Sequence, residues 1–247
     1  MHTSNENSAS LARLRVVLME TSHPGNIGAA ARAMKVMGLR QLYLVRPQQF
    51  PHAEATARAS GADELLSQAV LCNSIDEALA GCSLVFGVSA RLRSLSWPLV
   101  DARQAAQQAA VAALGGQEVA LVFGREQSGL SNEELQRCNC LLHIPTNPDY
   151  SSLNLAAAVQ VVSYELRMAL LDSSALFADE GDYASADELE SFYAHLEQTL
   201  IKIGFLDPDN PRQVLRRLRR LYNRAHTERV ELNILRGILT ETQKSCR

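Results

Sequence analysis

No stretch of this 247-residue sequence is apolar for long enough to cross a bilayer. The polar segment Met1–Ser10 lacks the apolar core of a signal peptide, so a cytoplasmic protein with a dispensable, disordered leader is expected. Disulfide-like spacing is also missing. The five cysteines (Cys72, Cys82, Cys138, Cys140, Cys246) form an odd set, read as reduced thiols used as small hydrophobes. Cys138-x-Cys140-x-x-His143 comes nearest to a metal motif, but it has no second ligand pair, and no metal is expected. There is no Gly-x-Gly-x-x-Gly and no Gly-Lys-Ser/Thr, which removes the usual nicotinamide and P-loop nucleotide folds. Overall positive charge is absent too. A net charge of −3 argues against a general nucleic-acid binder, although the average hides a basic segment.

What is present suits an ordinary globular protein, with 47% hydrophobic and 21% charged residues. Short Val- and Leu-rich runs predict strands at 16–19, 42–45, 69–72, 84–88, 119–123 and 141–144. Several lack polar alternation, as strands buried on both faces of a parallel sheet do. Helical stretches fall between them at 28–37, 53–59, 75–79, 102–114, 132–138 and 153–171. The alternation predicts an α/β domain over residues 11–171, with helices on both faces of a mostly parallel sheet. Residues 172–186 gain Ser, Asp and Gly and read as a linker. Strand signals then stop, and 187–247 reads as a small all-α domain with helices at 187–203, 211–225 and 228–242. Pro211 is placed as a first-turn proline.

Three segments carry glycine and asparagine where chemistry would use them. The first, Thr21-Ser22-His23-Pro24-Gly25-Asn26-Ile27-Gly28, leads from a strand into a helix bearing Arg32 one turn later. Free main-chain N–H groups there favour an anion, and Arg32 offers a planar charged fork. A plain strand-to-helix turn with a surface arginine is the alternative. The second, Phe123-Gly124-Arg125-Glu126-Gln127-Ser128-Gly129-Leu130, follows a buried strand, and Ser131 with Glu134 forms a capping box after it. The third, Ile144 to Val159, crosses prolines into a long helix whose start is crowded by Ser151, Ser152 and Asn154. One polar residue suffices for a cap, and here there are three.

Seven arginines against the single Glu228 leave a net +6 between residues 212 and 229. Arg216, Arg220 and Arg224 recur at i, i+4 and i+8 and so share a helix face. That face suits backbone phosphates. The other reading is a solvated face paired with the preceding helix through Asp187, Glu188, Glu190 and Glu197. Trp97, flanked by Arg91, Arg93 and Arg103, could stack on a flipped base or fill a core or an interface.

Together the three segments resemble the motifs of the SPOUT methyltransferases. N-x-G-x-x-x-R matches Asn26, Gly28 and Arg32; F-G-x-E-x-x-G-L matches Phe123 to Leu130; S-S-L-N-L matches Ser151 to Leu155. Glu231-Leu232-Asn233-Ile234-Leu235-Arg236-Gly237 and Ser96-Trp97-Pro98 extend the resemblance to the bacterial TrmJ-type tRNA methyltransferases. The resemblance implies a SPOUT fold with a C-terminal deep trefoil knot. It implies S-adenosylmethionine bound by the loops carrying Val88, Ser89, Ala90, Gly124, Gly129, Ile144, Ser152, Leu153 and Asn154. It further implies a homodimer that 2′-O-methylates the cytidine or uridine at position 32 in the tRNA anticodon loop.

Arg32 is then the expected catalytic residue, with Ser152 and Asn154 orienting the ribose. Asn26, Arg32, Arg216, Arg220 and Arg224 are expected to meet RNA. No His/Asp or Cys/His pair stands in the motifs as a general base. His23 is either that base or a loop histidine with a structural or substrate-contact role. A non-catalytic RNA-binding protein with the same fold is the alternative from another class.

Overall fold

The computed structural model describes residues 9–90, 98–172, 181–208 and 213–245. Arg91, Arg93, Trp97, Pro211, Arg212, Cys246 and most of the expected linker lie outside them.

Seven strands form one sheet: β1 (Leu14–Met19), β2 (Gln41–Val45), β3 (Val70–Cys72), β4 (Cys82–Val88), β5 (Leu99–Asp101), β6 (Glu118–Phe123) and β7 (Cys140–His143). Their order is β3-β2-β1-β6-β4-β7-β5, and all six neighbouring pairs are parallel. The unbroken apolar runs have the cause expected of them, because alternate residues of β1 enter different cores. Val16 and Leu18 pack with α1 (Pro24–Met37), α2 (Ala53–Ala59), α5 (Ala102–Leu114) and α7 (Leu155–Leu171) on one face. Val17 and Met19 pack on the other with α4 (Ile75–Leu79) and α6 (Asn132–Leu135). Each fully buried Leu or Phe contributes about 1.5–3 kcal/mol.

Two short elements were not expected. Strand β5 is a three-residue edge strand whose burial is only partial. Helix α3 (Asp63–Ser67) is a single turn, too short to show a period. Helix α1 starts a turn earlier than its apolar pattern suggests. Pro24 takes the first position, and His23 Nδ1 accepts from Gly25 N at 3.1 Å as the cap. Gly28 has a packing role, since a Cβ there would lie 2.0 Å from the carbonyl oxygen of Ala55 on α2.

Helices α8 (Ala186–Lys202), α9 (Val214–Ala225) and α10 (Arg229–Ser245) share a small core of Leu189, Phe192, Tyr193, Leu196 and Leu232. Phe192 meets Tyr222 edge-on at 4.9 Å. The described end of the expected linker belongs to this unit. Ala184 is buried, and its N–H donates to the Thr227 carbonyl at 2.9 Å.

Candidate active site

Because the sheet is parallel, β6, β4 and β7 all release their chains at the same edge, the usual place for a ligand in an open α/β sheet. The three exits line one cleft holding about 790 Å³ of empty space, its open mouth included. Val88 ends β4, and Ser89 and Ala90 follow it. Gly124 to Gly129 follow β6. Ile144, Thr146 and Ser151 to Leu153 lead from β7 into α7.

The β6 loop folds tightly onto itself. Gly129 N donates to the Arg125 carbonyl at 2.9 Å, and Arg125 N returns a bond to Gly129 O at 3.2 Å. A Cβ on Gly124 would sit 2.2 Å from the Gly129 carbonyl carbon, and Gly129 itself has φ +68°. Both positions therefore require glycine, the first for close approach and the second for a left-handed conformation.

One carboxylate gathers the three motifs. Glu126 Oε2 accepts from Ser22 N at 3.2 Å and from Ser22 Oγ at 3.0 Å. Its Oε1 accepts from His23 N at 3.3 Å and from Asn26 Nδ2 at 3.0 Å. Asn26 Oδ1 in turn accepts from Asn154 Nδ2 at 3.0 Å, while Asn154 Oδ1 caps α7 by accepting from Ala156 N at 2.9 Å. Burial alone would raise the Glu126 carboxyl, but the Asn26, Ser22 and His23 donors outweigh it and hold the group below its ordinary value. The anion at the start of α1 is thus the protein's own.

Arg125 is equally committed. It grips Glu134 with both terminal nitrogens, at 2.9 and 3.0 Å, and reaches Glu20 with Nε at 2.6 Å. Glu20 is also paired with Arg46. The bonds to Glu134 and Glu20 raise the guanidinium, and the Arg125 bond holds the Glu20 carboxyl low. The Gly-Arg-Glu run is a brace for the loop.

Of the residues expected at a cofactor, Val88, Ser89, Ala90, Gly124, Gly129, Ile144, Ser152 and Leu153 lie on the cleft wall. Asn154 is not on that wall; it is exposed and donates to Asn26. The Ser152 hydroxyl has no hydrogen-bond partner among the described residues. Arg32 is exposed on α1, outside the cleft wall of its own chain and without an ion-pair partner among the described residues. His23 is the helix cap and faces Glu54 at 3.8 Å. Arg103 pairs with Glu165 at 3.4 Å. On α9, Arg216 is 4.0 Å from Glu133 beside the cleft loop, whereas Arg220 and Arg224 are unpaired among the described residues. Cys138 is buried and its thiol pushed up by burial, and no metal-holding cluster of His, Cys, Asp and Glu occurs among the described residues. No described helix is long and apolar enough to cross a membrane. Sequence reasoning missed Glu126 as the hub. The signal was a carboxylate between two glycines that each have a structural duty.

A parallel sheet whose strand exits form a cleft from glycine loops defines a class, and the comparisons agree with it. Residues 13–164 match the SpoU rRNA Methylase family, and residues 187–247 match the C-terminal domain of the tRNA methyltransferase TrmJ. The chain belongs to the SpoU methylase family, as a member of its TrmJ type. It is 56% identical over 249 residues to the tRNA (cytidine/uridine/adenosine-2′-O-)-methyltransferase TrmJ of Pseudomonas aeruginosa, covering 96% of each chain. The crystal structure of TrmJ from Z. mobilis superposes with a TM-score of 0.81 at 34% identity, covering 92% of this chain and 97% of that one. An AdoMet-bound rRNA methyltransferase from Sinorhizobium meliloti aligns with a TM-score of 0.51 at 25% identity, over 63% of this chain and 56% of that one.

Proposed function

We propose that this protein transfers a methyl group from S-adenosylmethionine to the ribose 2′-hydroxyl of nucleotide 32, cytidine or uridine, in the anticodon loop of tRNA. The observation that carries the reading is the Glu126–Asn26–Asn154 chain, which fastens three distant loops around one cleft. The tRNA and 2′-O terms in the names of its relatives support the substrate, and the AdoMet-bound relative supports the cofactor.

The cleft fits the cofactor on its own terms. Apolar Val88, Ile144, Leu153 and Leu155 alternate with main-chain groups of the β6 loop, and the adjoining Arg125 and Glu126 are already neutralised within the chain. S-adenosylmethionine supplies an electrophilic methyl on a sulfonium. The protein's share is to hold donor and hydroxyl in line, which can account for much of the rate. Ser152, on the wall with a free hydroxyl, orients the ribose in this reading, and Asn154 sets the loop that carries it. Arg32, outside the cleft of its own chain, is assigned to the cleft of the partner subunit, where it meets the phosphate next to the target and the charge developing on the attacking oxygen.

The domain limits 11–171 and 187–247, the trefoil knot and a cytoplasmic homodimer belong to the same reading. Helix α7 supports the dimer. Ala157, Val161, Tyr164, Met168 and Leu171 repeat at four- and three-residue intervals along one side, and Tyr164, Met168 and Leu171 are 48%, 42% and 59% exposed. An active site shared between subunits would make specific activity fall on dilution.

The experiment is nucleoside mass spectrometry of tRNA from cells with and without the gene. Loss of a 2′-O-methyl mark from nucleotide 32, restored by the wild-type gene, is expected. A complete mark in the deletion strain would refute the assignment.

A further inference from the structure

The arginine helix meets β4, the strand that ends at the cleft, through one buried polar junction. Asn223, 5% exposed, lies on α9 between Arg220 and Arg224. Its Oδ1 accepts from Tyr193 Oη at 2.5 Å, and its Nδ2 donates to the carbonyls of Gln136 at 2.8 Å and Cys138 at 3.5 Å. Its own carbonyl accepts from Asn139 Nδ2 at 3.2 Å. Asn139, also buried, accepts on Oδ1 from Val85 N at 2.7 Å and donates from its N–H to Val85 O at 2.9 Å. Val85 lies on β4, the strand that ends at the cleft residue Val88. Gln136 follows α6, whose Glu133 stands beside Arg216. An unbroken path of hydrogen bonds thus runs from the helical unit to the strand carrying one cleft loop.

Around it the junction mixes apolar groups, such as Leu79, Val85 and Ala186, with polar ones. Gly81 N donates to Asp187 at 3.0 Å, and Arg137 lies between Asp76 at 2.9 Å and Glu190 at 3.6 Å. Asp76, Arg137, Asp187 and Glu190 line a hollow between the two units holding about 640 Å³ of empty space, its open mouth included. A small, mixed contact around a cavity leaves two domains free to shift unless something buried fixes their register. Buried amides whose nitrogen and oxygen atoms all find partners do that, because any other arrangement strands a polar group away from water. Burial pushes the Tyr193 hydroxyl up, so it stays a donor at neutral pH.

We propose that Asn223 is a positioning residue for methyl transfer, which through Asn139 holds the arginine face of α9 at a fixed place beside the cofactor cleft. The inference rests on the reading of that face as the RNA-binding surface. Its consequence is a division of labour within one helix: the arginines set how tightly RNA is held, and Asn223 sets where its ribose arrives.

The test compares Asn223→Ala with Arg220→Ala/Arg224→Ala in the full-length protein, using a tRNA transcript with cytidine at position 32. Three readouts are taken: tRNA affinity, S-adenosylmethionine affinity by calorimetry, and kcat at saturating tRNA. Asn223→Ala is expected to lose kcat, up to ~10²-fold, with both affinities unchanged. The arginine variant is expected to bind tRNA more weakly and keep its kcat. A wild-type kcat in Asn223→Ala, or a defect that saturating tRNA abolishes, would overturn the positioning role. If the arginine variant binds tRNA as the wild type does, the RNA-face reading fails and takes the proposal with it. Should Asn223→Ala not fold, Tyr193→Phe removes one hydroxyl from the same junction and keeps the ring. Reduced kcat at unchanged tRNA affinity then supports the role, and wild-type kcat overturns it.

Discussion

The cleft loops and helix α9 both carry conspicuous charge, yet they treat it oppositely. At the cleft, Arg125 is gripped by Glu134 and Glu20, and Glu126 collects Ser22, His23 and Asn26. Along α9, Arg217, Arg220 and Arg224 have no ion-pair partner among the described residues, while Arg219 beside them is paired with Glu190 and lies over the Tyr193 ring at 4.4 Å. Charge satisfied inside the chain shapes the main chain. Charge left over is available to a polyanion. A motif rich in charged residues can therefore be scaffold, and only the pairing tells the two uses apart.

The largest effect should come from removing the hub. Glu126→Ala strips one acceptor from four donors, and misplacement of the loops should cost methylation about 10²-fold. Methyl incorporation at saturating substrates measures it, with the charge-free Glu126→Gln separating lost shape from lost charge. Near wild-type turnover in the alanine variant would break the scaffold half of the comparison.

Next in size, each unpaired arginine that meets a phosphate should be worth about 1.5–3 kcal/mol. Arg220→Ala/Arg224→Ala should also flatten the salt dependence of tRNA binding, by roughly 0.7–0.9 in slope for each phosphate no longer neutralised. Arg219→Ala sharpens the contrast within one helix. It should lower the thermal midpoint, with a smaller effect on the salt slope.

Gly124→Ala should cost about 1–3 kcal/mol of stability by overpacking against Gly129, seen as a shifted denaturant midpoint and weaker cofactor binding.

The smallest effect is pH dependence. The Glu20 and Glu126 carboxyls both lie below their ordinary value of 4.5. Depressed groups contribute fully above the unfolded value and lose that contribution as pH falls through the folded one. Their share of the stability should therefore hold from neutrality down to 4.5 and drop only below it. Glu126→Gln should lack its part of that drop in acid denaturation followed by circular dichroism.

Much of the fold was legible because burial on both faces leaves its mark in single residues, as in Val16–Met19 and Val119–Phe123. What escaped had little length to speak with, namely the edge strand Leu99–Asp101 and the one-turn helix Asp63–Ser67. At the cleft, glycine spacing marked Gly124 and Gly129 and the crowded cap marked Ser152, which line one wall, and Asn154, which instead ties α7 to Asn26. The role of Glu126 depends on partners a hundred residues away, such as Asn26, and no local pattern encodes a contact of that range. Gly28 was read with an anion in view, but its reason is the Ala55 carbonyl across the helix pair.

A calorimetric titration of S-adenosylmethionine into the wild type and into Ala90→Trp, which fills the cleft from an exposed wall position, tests the central claim most directly. Saturable binding to the wild type, abolished in the variant while tRNA affinity is retained, is the predicted result. No binding to the wild type, or undiminished binding to the blocked variant, would contradict it.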